Sequence, residues 1–135
     1  MKAIALTLVL FLTGCASIKD DARLAVLADG ATTLAGVSTG VAKEANPLLG
    51  KAAPGAIAAS VALRLGAIEL VDRAPEPART NTLSLIDAIT WGVVVNNLAV
   101  LAGSPAHALI GIAFGWWTWH RTEQQRVSTT VAHSH

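Results

Sequence analysis

The chain has little of what most enzymes and disulfide-linked domains contain. Its 135 residues include one cysteine, no tyrosine and two phenylalanines, and only 14% are charged, against roughly 25% in an average soluble domain. A single cysteine excludes an internal disulfide. The ten basic and nine acidic residues nearly balance and form no run of one sign, which argues against nucleic acid as a partner.

Apolar residues make up most of the chain. They account for 53% of it, and the mean hydropathy is +0.52. Most are Ala, Leu and Val, and small residues suit close helix packing in lipid. This composition predicts an all-α membrane protein, and the length predicts one domain.

The N-terminus has the pattern of an export signal. Lys2 precedes an apolar run, residues 3–12, that is too short to span a bilayer. Residues 12–15 read Leu-Thr-Gly-Cys, which resembles the lipobox of bacterial lipoproteins. The resemblance implies cleavage after Gly14 and a lipid on Cys15 that anchors the chain at the outer face of the bacterial cell membrane, with membrane lipid as its partner. The alternative is a buried thiol in an uncleaved helix.

Four apolar segments after the lipobox predict two helical hairpins that cross the membrane. They are Leu24 to Ala42, Pro54 to about Val71, Thr82 to about Ala102, and Pro105 to about Trp119. The second is the least typical of a spanning helix because it contains Arg64 and Glu69. The domains are therefore a signal peptide at residues 1–14, a helical membrane domain at residues 15–121 and a polar, mobile tail at residues 122–135.

The flanking residues suggest how these helices lie in the membrane. Three tryptophans near the end of the fourth segment, just before His120 and Arg121, indicate an anchor at the membrane surface; they are Trp116, Trp117 and Trp119. With Cys15 outside, the loop around Lys51 is predicted inside and the loop around Pro75 outside.

One longer pattern resembles a known family. Asp-x-x-Thr-Thr at residues 29–33 is followed by Glu-x-Asn-Pro at residues 44–47. Together these resemble the signature of a family of small bacterial multi-helix membrane proteins of unknown function, in which a later helix carries an Asn similar to Asn96 or Asn97. The resemblance implies a helical membrane fold and no known activity. The lipobox ahead of the motif departs from the family.

Several polar residues fall inside the predicted spans. An unpaired carboxylate near the bilayer centre costs about 2.5 to 3.5 kcal/mol on insertion scales, so Asp29 should have a partner or be protonated. Arg64 is the expected partner because both residues lie near mid-depth of their helices. A purely structural pair and a functional polar site both remain open. The candidate site comprises Asp29, Thr32, Thr33, Arg64, Asn96 and Asn97.

Glycines recur at four-residue spacing in two of the segments. Gly36 with Gly40, and Gly111 with Gly115, have the G-x-x-x-G pattern that lets another helix approach closely. They predict contacts in a homo-oligomer, although such spacing also arises by chance in a chain with eleven glycines.

The sequence predicts neither an enzyme nor a cofactor. His107 has no second metal-ligating residue at suitable spacing, and no catalytic triad or phosphate-binding loop occurs. The expected function is that of a lipid-anchored integral membrane protein with a structural or interaction role. The alternatives are a small transporter or channel subunit that uses the intramembrane polar residues, and a soluble periplasmic helical lipoprotein whose apolar segments form a bundle core.

Overall fold

The computed structural model describes residues 17–41 and 54–132, which form four α-helices and no strand. The helices are α1 (Ile18–Ser38), α2 (Pro54–Val71), α3 (Ala78–Leu101) and α4 (His107–Ala132). The all-α prediction is therefore confirmed. The signal peptide, Cys15, Glu44 to Pro47 and Lys51 lie outside the described residues.

Helix α1 connects the other helices. It contacts α2 on one side and α3 on the other, and α3 packs in turn against α4; within the described residues α2 and α4 do not touch. One apolar cluster joins α1, α2 and α3 around Val26, Ile68 and Leu83. A second joins α1, α3 and α4 around Trp91, with Phe114 packed against it.

Helix α1 begins and ends earlier than predicted. Its start is capped by Ser17, whose Oγ accepts a hydrogen bond from the Asp20 backbone N–H at 3.2 Å. Residues 18–23, which precede the first predicted segment, belong to the helix, and Lys19 and Arg23 form ion pairs with Glu69 at the end of α2. The helix ends at Ser38, and Gly40 lies beyond it with φ +70°, a left-handed conformation that favours glycine.

Helices α3 and α4 form an antiparallel hairpin with backbone in close approach. A Cβ atom built on Gly111 would lie 2.7 Å from the Gly92 carbonyl oxygen, and one on Gly115 would lie 2.9 Å from the Ala88 carbonyl oxygen. The Gly111 and Gly115 pair, expected to contact a second copy, therefore contacts α3 of the same chain. Gly40 cannot complete a helical G-x-x-x-G face with Gly36, since it lies outside α1.

Helix α4 is longer than predicted. Residues 122–135 were expected to form a mobile tail, yet the helix continues to Ala132. Residues 121–126, Arg-Thr-Glu-Gln-Gln-Arg, contain five strong helix formers and neither Gly nor Pro, so no local signal ends the helix there.

Two of the described helices, α2 and α3, are long and apolar enough to cross a membrane. At 1.5 Å per residue they measure about 27 Å and about 36 Å, close to the hydrocarbon thickness of a bilayer. Of the residues in α2, only Ile57 and Ile68 are buried in the chain. Most of this apolar helix therefore faces outward.

Candidate functional site

A cluster of polar side chains lies in the middle of the bundle, where α1, α2 and α3 meet. Asp29 of α1 is buried, and its Oδ2 accepts a hydrogen bond and ion pair from Arg64 Nη1 of α2. Its Oδ1 accepts a hydrogen bond from Asn97 Nδ2 of α3 at 3.0 Å. One carboxylate thus joins three helices.

Two threonines complete this mid-bundle cluster, which consists of Asp29, Thr32, Thr33, Arg64 and Asn97. The Thr33 hydroxyl lies 3.5 Å from Asp29 Oδ1 and also accepts from Asn97 Nδ2 at 3.3 Å. The Thr32 hydroxyl donates to the Asp29 carbonyl oxygen at 3.1 Å and accepts from Asn97 Nδ2 at 3.2 Å. The Asp-x-x-Thr-Thr motif therefore places three side chains on the face of α1 that meets Asn97.

Asn96 does not belong to this cluster. Its Oδ1 lies 2.9 Å from His107 Nδ1, at the opposite end of the α3–α4 hairpin from the charged loop. Neighbouring helical residues point about 100° apart, so Asn96 faces α4 while Asn97 faces α1. The sequence could not decide which of the two would meet Asp29.

Burial differs between the two partners of the ion pair. The Asp29 side chain is 8% exposed, whereas that of Arg64 is 36% exposed. Both carboxylate oxygens have donors, and Arg64 Nε also donates to the Ser60 carbonyl oxygen at 3.4 Å. The charges are thus neutralised within the bundle, and the arrangement acts chemically as a clamp between helices.

A second set of charges, partly buried, ties the start of α1 to the end of α2 and to the α2–α3 loop. Lys19 Nζ lies 2.6 Å from Asp72 Oδ2 and 2.9 Å from Glu69 Oε2, and Arg79 Nη1 lies 3.0 Å from Asp72 Oδ1. The hydrogen bond from Lys19, and then that from Arg79, lowers the pKa of Asp72 below its usual value. Arg23 pairs with Glu69 at the end of α2.

A third polar group, which sequence reasoning missed, lies between α1, α3 and α4. It consists of Asp21, Asp87, Trp91 and Arg121, and we call it the Asp21–Asp87 cluster. Asp87 and Trp91 are buried, and Asp21 is half-buried. Burial raises the pKa of Asp21. The aspartates were visible in the sequence, but their meeting depends on how α1 is rotated against α3.

Of the three tryptophans predicted to anchor the chain, Trp116 and Trp117 lie exposed on α4, whereas Trp119 is half-buried. Trp116 is 64% exposed and packs edge-on against His120, with ring centroids 4.5 Å apart. The guanidinium carbon of Arg121 lies 5.7 Å from the centroid of Trp117. Among the described residues, no group of three His, Cys, Asp or Glu side chains is placed to hold a metal ion.

Comparison with models of protein families, with curated proteins and with solved structures gave no significant match to this chain. Function is therefore inferred from the geometry of the chain, and the resemblance to small multi-helix membrane proteins stays a prediction.

Proposed function

We propose that the chain is a lipid-anchored integral membrane protein with a structural or interaction role, in which α2 and α3 cross the bilayer. The observation that carries this proposal is the placement of polar groups inside and apolar groups outside. Asp29 and Asp87 are buried, whereas Leu63, Leu109 and Ile112 are 77%, 72% and 70% exposed. Ionisable residues in membrane helices face the bundle interior in this way.

The exposed apolar surface argues against the soluble alternative. Large contiguous apolar patches are rare on soluble monomers, because their burial is the main force that folds such chains. Helix α2 would be a core helix in a soluble bundle, yet Leu63 and Leu70 both point away from the chain. Lipid, or a partner within lipid, accounts for an apolar helix that its own chain leaves uncovered.

The pairing inside the mid-bundle cluster favours a structural role over transport. Both Asp29 oxygens have donors from Arg64 and Asn97, and the positive and negative charges cancel. Asn96, which a polar path through the bundle would use, is bonded to His107 instead. Ion flux through proteoliposomes that is lost in Asp29→Asn would replace this proposal with the transporter alternative.

The anchor is tested at Cys15. We expect Cys15→Ser to abolish labelling with radioactive palmitate and to leave an unprocessed precursor of higher mass, because Cys15 is the only thiol in the chain. The matched control is Ser17→Ala, two residues away, which should remain labelled and processed. Palmitate incorporation that survives Cys15→Ser would exclude the lipoprotein assignment.

Membrane spanning is tested without the lipid anchor. We expect the Cys15→Ser protein to stay in the membrane pellet after extraction with alkaline sodium carbonate, since α2 and α3 hold it there. A soluble lipoprotein that depended on the lipid alone would move to the supernatant. That result would leave the soluble periplasmic bundle as the better assignment.

The direction of crossing is tested at two exposed prolines at opposite ends of α3, Pro75 and Pro105. In the Cys15→Ser background, we expect Pro75→Cys to react with a membrane-impermeant maleimide on intact cells. We expect Pro105→Cys to react only after the membrane is permeabilised. Both positions lie in loops, so neither change should disturb a helix. Equal labelling of intact cells at both sites would contradict the crossing of α3.

A further inference from the structure

The Asp21–Asp87 cluster is not explained by the proposed function. Asp87 and Trp91 lie one turn apart on α3 and are 2% and 4% exposed. Ala25, one turn after Asp21 on α1, packs in the same apolar cluster as Trp91. Phe114 of α4 packs there too, and Arg121 lies two turns further along α4. Three helices thus bring two carboxyl groups and one guanidinium to the same level of the bundle.

Three buried polar atoms in this cluster have no hydrogen-bond partner among the described residues: Asp21 Oδ1, Asp87 Oδ1 and Trp91 Nε1. The Trp91 ring nitrogen faces both carboxyl groups, but its geometry makes no full hydrogen bond to either. Buried polar groups in folded proteins nearly always have a partner, so three unsatisfied atoms in one place single out this cluster as a candidate binding site.

The charge balance indicates what that ligand is. Two ionised carboxylates can only accept hydrogen bonds, and they repel each other in a desolvated pocket. The charged groups that face Asp87 are Asp21 from α1 and Arg121 from α4, which together with Asp87 leave one negative charge in excess. A proton removes that excess and turns one carboxyl group into a donor for the other.

We propose that Asp21 and Asp87 together bind one proton, shared between the two carboxyl groups at the junction of α1, α3 and α4. A metal cation fits the cluster less well, because the third inward-facing group, Trp91 Nε1–H, is a donor and not a ligand. No group of three metal-ligating side chains was found in the described residues. The proton joins α1 to α3, and its loss at high pH leaves two like charges facing each other.

The test is infrared difference spectroscopy on the purified chain in detergent. We expect one protonated carboxyl group per chain at about pH 5, seen as a carbonyl band that shifts in heavy water and disappears as the pH is raised. The band should change position in Asp21→Asn and in Asp87→Asn, because each change removes one of the two carboxyl groups that share the proton, and it should be absent in the double variant. Asp20→Asn, an exposed change one residue from Asp21, should retain it.

Thermal unfolding provides a second measurement. The pKa of Asp21 is raised from 3.8, so the folded chain keeps its proton to higher pH than the unfolded chain does, and the stability gained is lost as the pH rises. We expect the wild-type chain to melt at a lower temperature near about pH 9 than near about pH 5, and Asp21→Asn to show a smaller difference.

Three results would overturn the proposal. The first is a wild-type spectrum with no protonated carboxyl band at about pH 5, which needs no variant to interpret. The second is a band that is unchanged in both Asn variants, which would assign it to another residue. The third is a band that sodium chloride abolishes at constant pH, which would identify the ligand as a metal cation.

Discussion

Replacing Arg64 by Gln should destabilise the chain more than replacing Asp29 by Asn. Arg64→Gln leaves a carboxylate that is 8% exposed without its cation, whereas Asp29→Asn leaves a guanidinium that is already 36% exposed and can turn further outward. Removing one partner of a buried pair costs about 3 to 5 kcal/mol, and we expect Arg64→Gln near the lower end of that range. Thermal unfolding in detergent and the amount of protein in the membrane fraction are the two measurements.

The double variant separates a true pair from two independent effects. Asp29→Asn with Arg64→Gln leaves no unpaired charge, so it should lose at least about 1 kcal/mol less than the sum of the single losses. Arg23→Gln with Glu69→Gln is the matched control, because that ion pair is about 40% exposed on both sides and such pairs contribute little. Strictly additive losses at Asp29 and Arg64 would mean that the pair does not stabilise the fold.

Adding one methyl group at Gly111 should force α3 and α4 apart. The Cβ of Gly111→Ala would lie 2.7 Å from the Gly92 carbonyl oxygen and 2.8 Å from Asn96 Cβ, and backbone atoms cannot turn aside. We expect a loss of about 1 to 3 kcal/mol, the usual cost of overpacking. Gly66→Ala is the matched control: nothing lies within 4 Å of its added Cβ. It should stabilise α2 by up to about 1 kcal/mol through helix propensity.

The two glycine variants should therefore change the melting temperature in opposite directions. The same pair also tests the earlier expectation of a homo-oligomer. If Gly111→Ala left the melting temperature unchanged but dissociated an oligomer on a native gel, the glycine would serve a contact between chains, and the hairpin packing described above would be wrong.

Local signals in the sequence were sufficient to predict those helix boundaries that depend on nearby residues. The bounds of α2 follow from Pro54, which suits a first turn, and from the charged loop after Val71. The break between α3 and α4 follows from Gly103 and Pro105, and Gly103 has φ +73°. The position of each residue along its predicted membrane helix was also enough to choose Arg64 as the partner of Asp29. An ion pair between neighbouring helices requires that the two residues lie at a similar depth.

Predictions failed where the result depends on contacts between helices. The charged residues at the start of α1 were left outside the first predicted segment, because their partners, Glu69 and Asp72, are some 50 residues away. The choice between Asn96 and Asn97, and the meeting of Asp21 with Asp87, depend on the rotation of each helix about its axis. No apolar stripe fixes that rotation in helices that are apolar on most sides.

The position of α1 between α2 and α3 has a consequence for biosynthesis. Asp29 is synthesised first, whereas Arg64 follows 35 residues later and Asn97 follows 68 residues later. At roughly 5 to 20 residues per second, Arg64 is synthesised about 2 to 7 s after Asp29, and Asn97 follows Asp29 after about twice that time. Helix α1 is not one of the two helices whose own composition suits a membrane. We therefore expect α1, although it leaves the ribosome first, to take its final place only after α2 and α3 have been inserted.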